Sequence, residues 1–157
     1  MTFRLLMPLI LSLVAMTAQA APDLDAVVTE TVLPGIHAFD DAAGRLGEVS
    51  GDHCAAEDPE LRAAYTDAFD AWIAISHLRF GPTEREDRAF ALAFWPDSRG
   101  ATPKTLARLI QDEDPVVDDP DSFTDVSIAG RGFYALEFLL YDDAISTMGS
   151  ADYRCRL

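Results

Sequence analysis

The chain has 157 residues, enough for one domain with a sizeable core. It carries 27 acidic against 12 basic residues, a formal charge of −15, which argues against nucleic acid and anionic membrane surfaces as partners. A solvated acidic surface is the plain reading of that charge; attraction for cations or basic peptides is the sharper one.

Residues 1–20 read as a secretory signal peptide: Arg4 is the positive start, Leu5–Met16 a short apolar run, and Ala18-Gln19-Ala20 a small-x-small cleavage signal before Ala21. The run is too short to span a bilayer comfortably, and no second one follows, so no stable membrane insertion is expected once the signal is removed. The expected compartment is the periplasm. Two cysteines, Cys54 and Cys155, in an exported chain favour a disulfide over free or metal-binding thiols.

Asp23–Leu46 reads as a helix, with Val28, Val32, Ile36, Phe39, Ala43 and Leu46 on one face. Pro34 should kink or split it. His37 with Asp40 or Asp41 has a permitted metal-ligand spacing, though such pairs are more often surface neighbours. Gly47–Glu57 reads as a polar loop carrying His53 and Cys54. The next helix is the clearest: Asp58 caps it, Pro59 suits its first position, and Gly81-Pro82 stops it. Leu61, Tyr65, Ala68, Trp72 and Ile75 form its buried face, and Arg79 would continue that face. His77 lies toward the side of Asp67 and Asp70.

Thr83-x-x-Glu86 has the pattern of a capping box before a short helix, Arg88–Phe94, ended by Trp95-Pro96-Asp97. Thr102 and Pro103 open a further helix to about Gln111. Asp112–Asp121 should be an exposed acidic loop, and Met148–Leu157 a short tail. Ser127–Asp142 reads as the core helix, with Phe123, Val126, Gly130, Phe133, Tyr134, Leu140 and Tyr141 on one face and Glu137 at its centre. A carboxylate amid apolar side chains is costly unless a cation, a metal or several donors meet it. Gly130 and Gly132 lower helix propensity, which points to close approach of another backbone. Arg79, opposite in sign on a second apolar stripe, is the expected partner of Glu137, either as a buried salt bridge or as part of a polar site in a cleft that Asp97 or Arg99 could also reach. No nucleophile elbow, phosphate loop or zinc helix motif occurs, so no catalytic residue is assigned. The expected architecture is all-α, an up-down bundle of about four to five helices.

Gly132-Phe133-Tyr134-Ala135-Leu136-Glu137, followed by Phe138-Leu139-Leu140, resembles the imelysin signature of glycine-x-histidine-x-x-glutamate before an apolar run. Leu33-Pro34-Gly35, Ala71-Trp72 leading to Arg79-Phe80-Gly81-Pro82, and Phe94-Trp95-Pro96-Asp97 carry the resemblance further, so that it spans nearly all of residues 21–157. It departs at Tyr134, where the family has its histidine. The resemblance implies a periplasmic helical protein linked to iron uptake, with peptidase activity described for some members. It also implies two related bundles, of which residues 21–157 would be the first; the second half, or an iron-uptake protein, would be the partner. The functional-site positions carried over are Gly132, Tyr134 and Glu137, with Arg79 beside them. Tyr134 and Glu137 could ligate ferric iron, but they leave no three-ligand zinc set. A non-enzymatic binding domain in iron acquisition is therefore the leading expectation, with a metal-dependent peptidase and a structural interaction module as alternatives.

Overall fold

The computed structural model describes residues 23–157, and all regular secondary structure among them is helical. The segment read as a signal peptide lies outside the described residues. Four helices have ten or more residues: α2 (Leu33–Asp52), α3 (Pro59–Ile75), α5 (Ala101–Asp112) and α7 (Gly132–Tyr141). Between and around them run α1 (Leu24–Val27), α4 (Arg88–Leu92), α6 (Pro120–Phe123), α8 (Asp143–Ser146), α9 (Ala151–Arg156) and short 3-10 turns.

α3 forms as its sequence dictates. Asp58 accepts hydrogen bonds from the amides of Glu60 and Leu61, Pro59 takes the first position, and Leu61, Tyr65, Ala68, Trp72 and Ile75 are buried. α2 lies along it. Gly35 makes this approach close: a Cβ there would stand 2.7 Å from Cγ2 of Ile75. The expected segment is divided near Pro34, which sits in the first turn of α2. α1 passes through a π-helical turn, Val28–Val32, in which the amide of Leu33 reaches the carbonyl of Val28. The wider turn leaves room for the proline ring. It also shifts the phase of the apolar face. Val28 and Ile36 are exposed, whereas Phe39, Ala42, Leu46 and Val49 pack on the core. α2 continues past Gly47 to Asp52, so the expected polar loop shrinks to a short turn before Asp58.

Several expected caps are made by other residues. The Thr83 hydroxyl donates back to Leu78 and Phe80 rather than forming a capping box, and Glu86 and Asp87 adopt left-handed backbone before α4. α5 is capped by the Asp97 carboxylate, which accepts from the amides of Ala101 and Thr102. The acidic stretch 112–121 is not plain loop: Asp114 caps a 3-10 turn, Pro115–Asp118, and Asp119 caps α6. The expected tail contains α9, whose Tyr153 is fully buried and donates from its hydroxyl to the carbonyl of Asp114 at 2.9 Å. The expected disulfide is present: Cys54 and Cys155 are bridged, with Cα atoms 5.0 Å apart, joining α9 to the turn after α2.

α7 is the central helix, but it is shorter than the segment Ser127–Asp142. Ser127 caps a separate 3-10 turn, Ile128–Gly130; Arg131 is extended, and α7 starts at Gly132. Gly132 has φ +75°, and a Cβ on it would overlap the carbonyl oxygens of Leu92 and Ala91. The close backbone expected at this glycine is thus the end of α4. From this start, Phe133 and Leu140 enter one core cluster, with α3 and Ala89. Ala135 enters another, with Leu106 and Ile110 of α5, Ile145 of α8 and Tyr153.

Candidate functional site

With two sides of α7 committed to core, a third strip faces outward. Tyr134, Glu137 and Tyr141 lie on it at helical spacing. Glu137 is exposed, not buried at the centre of an apolar face. The separation of residues 123–130 from α7 explains the difference, because the longer face assumed one unbroken helix. The cost of a buried carboxylate is avoided by placing it at solvent.

Arg79 does not meet it. α3 ends at Ile75, one turn before Arg79, so the α3 stripe does not extend that far. Arg79 is exposed and pairs with Glu84, Nε to Oε1 at 2.5 Å. This hydrogen-bonded carboxylate holds the guanidinium pKa above its ordinary value. Among the described residues no ion pair reaches Glu137, and no hydrogen bond leaves the Tyr134 hydroxyl. The Tyr134 hydroxyl thus bonds neither Glu137 nor a nearby carbonyl. Tyr134 is fixed by its ring instead, edge-on to Phe69 at 5.8 Å between centroids and tilted by 32° against Trp95 at 5.6 Å.

Trp95 and its neighbours turn this strip into a cleft. An open pocket of about 330 Å³ is lined by Phe94, Trp95, Asp97, Thr102, Tyr134, Glu137 and Phe138. Three segments build it: the turn after α4, the start of α5 and the outer strip of α7. Asp97 is half-buried, and the amides of Thr102 and Ala101 hold its carboxyl below the ordinary carboxylate range. Gly132 lies outside this lining; it acts on the site by setting where α7 begins.

The phenol of Tyr65, on the inner side of α7, is pushed well above its ordinary pKa, first by burial and then by the Glu137 carboxylate. Its hydroxyl is 3.4 Å from the carbonyl of Phe133, to which it donates. Buried and protonated, Tyr65 braces the helix from its inner side.

A resident metal does not fit this donor set. Among the described residues no three or more His, Cys, Asp or Glu side chains stand together as a metal site requires. Both Asp97 oxygens already accept helix amides. The two cleft groups at the carried-over motif positions, Tyr134 and Glu137, supply two oxygens. His37, with Asp40 and Asp41, belongs to no such group either. His53 Nδ1 is bonded to Asp58 at 2.9 Å, and Cys54 is spent in the disulfide.

Sequence reasoning found Glu137, Tyr134 and the Trp95–Asp97 turn, but it treated Thr102 as a cap. It also missed Arg62. Arg62 donates to the carbonyls of Ala56 at 2.6 Å and Leu140 at 2.7 Å, and its guanidinium lies 4.7 Å from the Tyr141 ring centroid. It thereby holds the last turn of α7. The contact with Leu140 spans 78 residues, and nothing local marks it.

Neither a curated protein nor a solved structure matches the chain. A family model does, the one described as Imelysin, over residues 32–157. The matched span begins at the last residue of the π turn and takes in α2 onward, with the cleft and the disulfide, and the chain belongs to the imelysin family.

Proposed function

We propose that this chain is an exported, periplasmic domain that serves iron acquisition by binding a ligand in the Trp95–Glu137 cleft, without hydrolysing it. The observation carrying this reading is the composition of the outer strip of α7. Tyr134 stands where the family signature has histidine, and Glu137, one turn on, faces solvent in a cleft whose other carboxylate is engaged in capping. Zinc-dependent hydrolysis calls for three protein ligands and an open fourth position. A phenol beside one carboxylate falls short of that, whereas an aromatic cleft with an acidic rim suits reversible binding. The signal-like sequence of residues 1–20 supports an exported, periplasmic setting for this binding.

Growth under iron limitation tests the role. Cells lacking the chain are expected to grow more slowly than their parent; a plasmid copy restores growth and Glu137→Gln does not. Full restoration by Glu137→Gln would sink the reading. Calorimetric titration tests the absence of hydrolytic chemistry: the unaltered protein should not bind zinc at micromolar concentration, and Tyr134→His should gain affinity. Micromolar zinc binding by the unaltered protein, abolished by Glu137→Gln, would favour the peptidase instead.

A further inference from the structure

We infer that the Trp95–Glu137 cleft is built to hold a small methylated ammonium ion that carries a neighbouring hydroxyl, an inference that rests on the reading of this cleft as the binding site. Four observations lead there. The first is the walls. Trp95 packs on Tyr134 at 32° with centroids 5.6 Å apart, and this aromatic pair, with Phe94 and Phe138, forms the apolar side of the cleft. Ring faces are negative, and a desolvated methylammonium is among the groups they attract best. Although it packs on Tyr134, Trp95 is 65% exposed, an unusual position for an indole.

The second is charge. Asp97 and Glu137 line the cleft, and no lysine or arginine does. An anion is therefore excluded, and the overall charge of −15 steers cations toward the surface. The third is the buried hydroxyl of Thr102. Thr102 is 1% exposed and lines the cleft; its hydroxyl lies toward the Asp97 carboxylate and helps hold it ionised, yet it completes no full hydrogen bond among the described residues. The lone pairs of that buried hydroxyl remain unmet, and a ligand hydroxyl would donate to them. The fourth is size: about 330 Å³ lies at the small end of ligand pockets. A bare metal ion uses none of the aromatic surface, and the oxygen donors for one are too few.

Choline and 3,3-dimethyl-1-butanol are nearly isosteric, but only choline carries the positive charge. In calorimetric titrations of the purified protein, choline is expected to bind saturably and the neutral alcohol about tenfold more weakly or worse. Trp95→Ala and Glu137→Gln should each weaken choline by a similar factor. Both side chains are exposed, so the variants should keep the parent melting temperature. Thr102→Val should lower affinity for choline more than for tetramethylammonium, which lacks the hydroxyl. Absence of saturation by choline up to about 0.1 M overturns the inference. So does equal binding of the neutral alcohol, or binding untouched by Trp95→Ala. If choline fails while iron-limited growth still depends on Glu137, the ligand class is wrong and the cleft remains the site. If growth is also independent of Glu137, both readings fall.

Discussion

Pro59 and an apolar residue at every third or fourth position, with Asp58 capping just ahead of them, place α3 by its own local sequence. α7 is placed from outside. Its ten residues are apolar nearly all round, and no side chain caps its start. Its position depends on the carbonyls of α4 at Gly132 and on Arg62 at its last turn. A helix with one apolar face needs one neighbour; a helix with three needs its surroundings to choose which faces are buried. The face left over on α7 became the cleft.

Truncating the α3 face should give the largest effect. Trp72 is 5% exposed and packs at 5.6 Å from the Phe39 ring, so Trp72→Ala is expected to cost about 3–5 kcal/mol in denaturant unfolding. A smaller loss would mean that α2 closes over the gap and that α3 depends less on its own face than argued. Next comes the external placement of α7. Gly132→Ala meets both the positive φ and the carbonyls of α4, and should cost about 2–4 kcal/mol. Gly44→Ala is the control: nothing lies within 4 Å of a Cβ there, so helix propensity alone acts and stability should rise by about 0.5–1 kcal/mol. If the two variants behave alike, α7 is not set by its start.

Arg62→Ala removes two charge-assisted hydrogen bonds to carbonyls and should cost about 1.5–3 kcal/mol. Amide hydrogen exchange in Phe138–Tyr141 should speed up more than in α3; uniform acceleration would argue against a local clamp. The smallest effect concerns the start of α3 and its pH dependence. Hydrogen bonding to Asp58 raises the His53 pKa above 6.5, and the same bond, with the Leu61 amide, lowers that of Asp58 below 3.8. The histidine's contribution is whole below its ordinary value and is lost as pH rises through its raised one. That of the aspartate is present above its ordinary value and is lost as pH falls through its lowered one. Melting temperatures of the parent and His53→Gln should therefore differ most between about pH 4 and 6.5 and converge in alkali. A constant difference across pH would remove the ionic part of the pair.

These contrasts explain what could be read from the chain alone. α3, the disulfide and the helical class follow from local signals: a cap, a period, and an even cysteine count in a chain whose first residues read as an export signal. Pro34 was visible as a disturbance, but the π turn that absorbs it was not, since widening and breaking are both responses to a missing amide. Glu137 was found because a charge in an apolar run stands out. Its neighbours were misassigned, because the extended backbone at Arg131 has no local signature and a helix drawn through it rotates every face. Arg79 was lost for a similar reason: the period runs on in the sequence after the helix has stopped. Trp95 and Asp97 were glimpsed as a turn near the site, whereas the unpaired hydroxyl of Thr102 exists only once α5 is packed.

The Cys54–Cys155 bond has a topological consequence. Everything between those residues is a closed ring, and the residues before Cys54, including α2, form a tail attached to it. The exposed turn at Arg85–Asp87, with two left-handed residues, lies on the ring. A protease cutting once there would open the ring to a line without releasing a fragment. Such a nicked molecule would keep its mass apart from one added water, migrate as one species on a non-reducing gel, and fall into two only when a thiol is added.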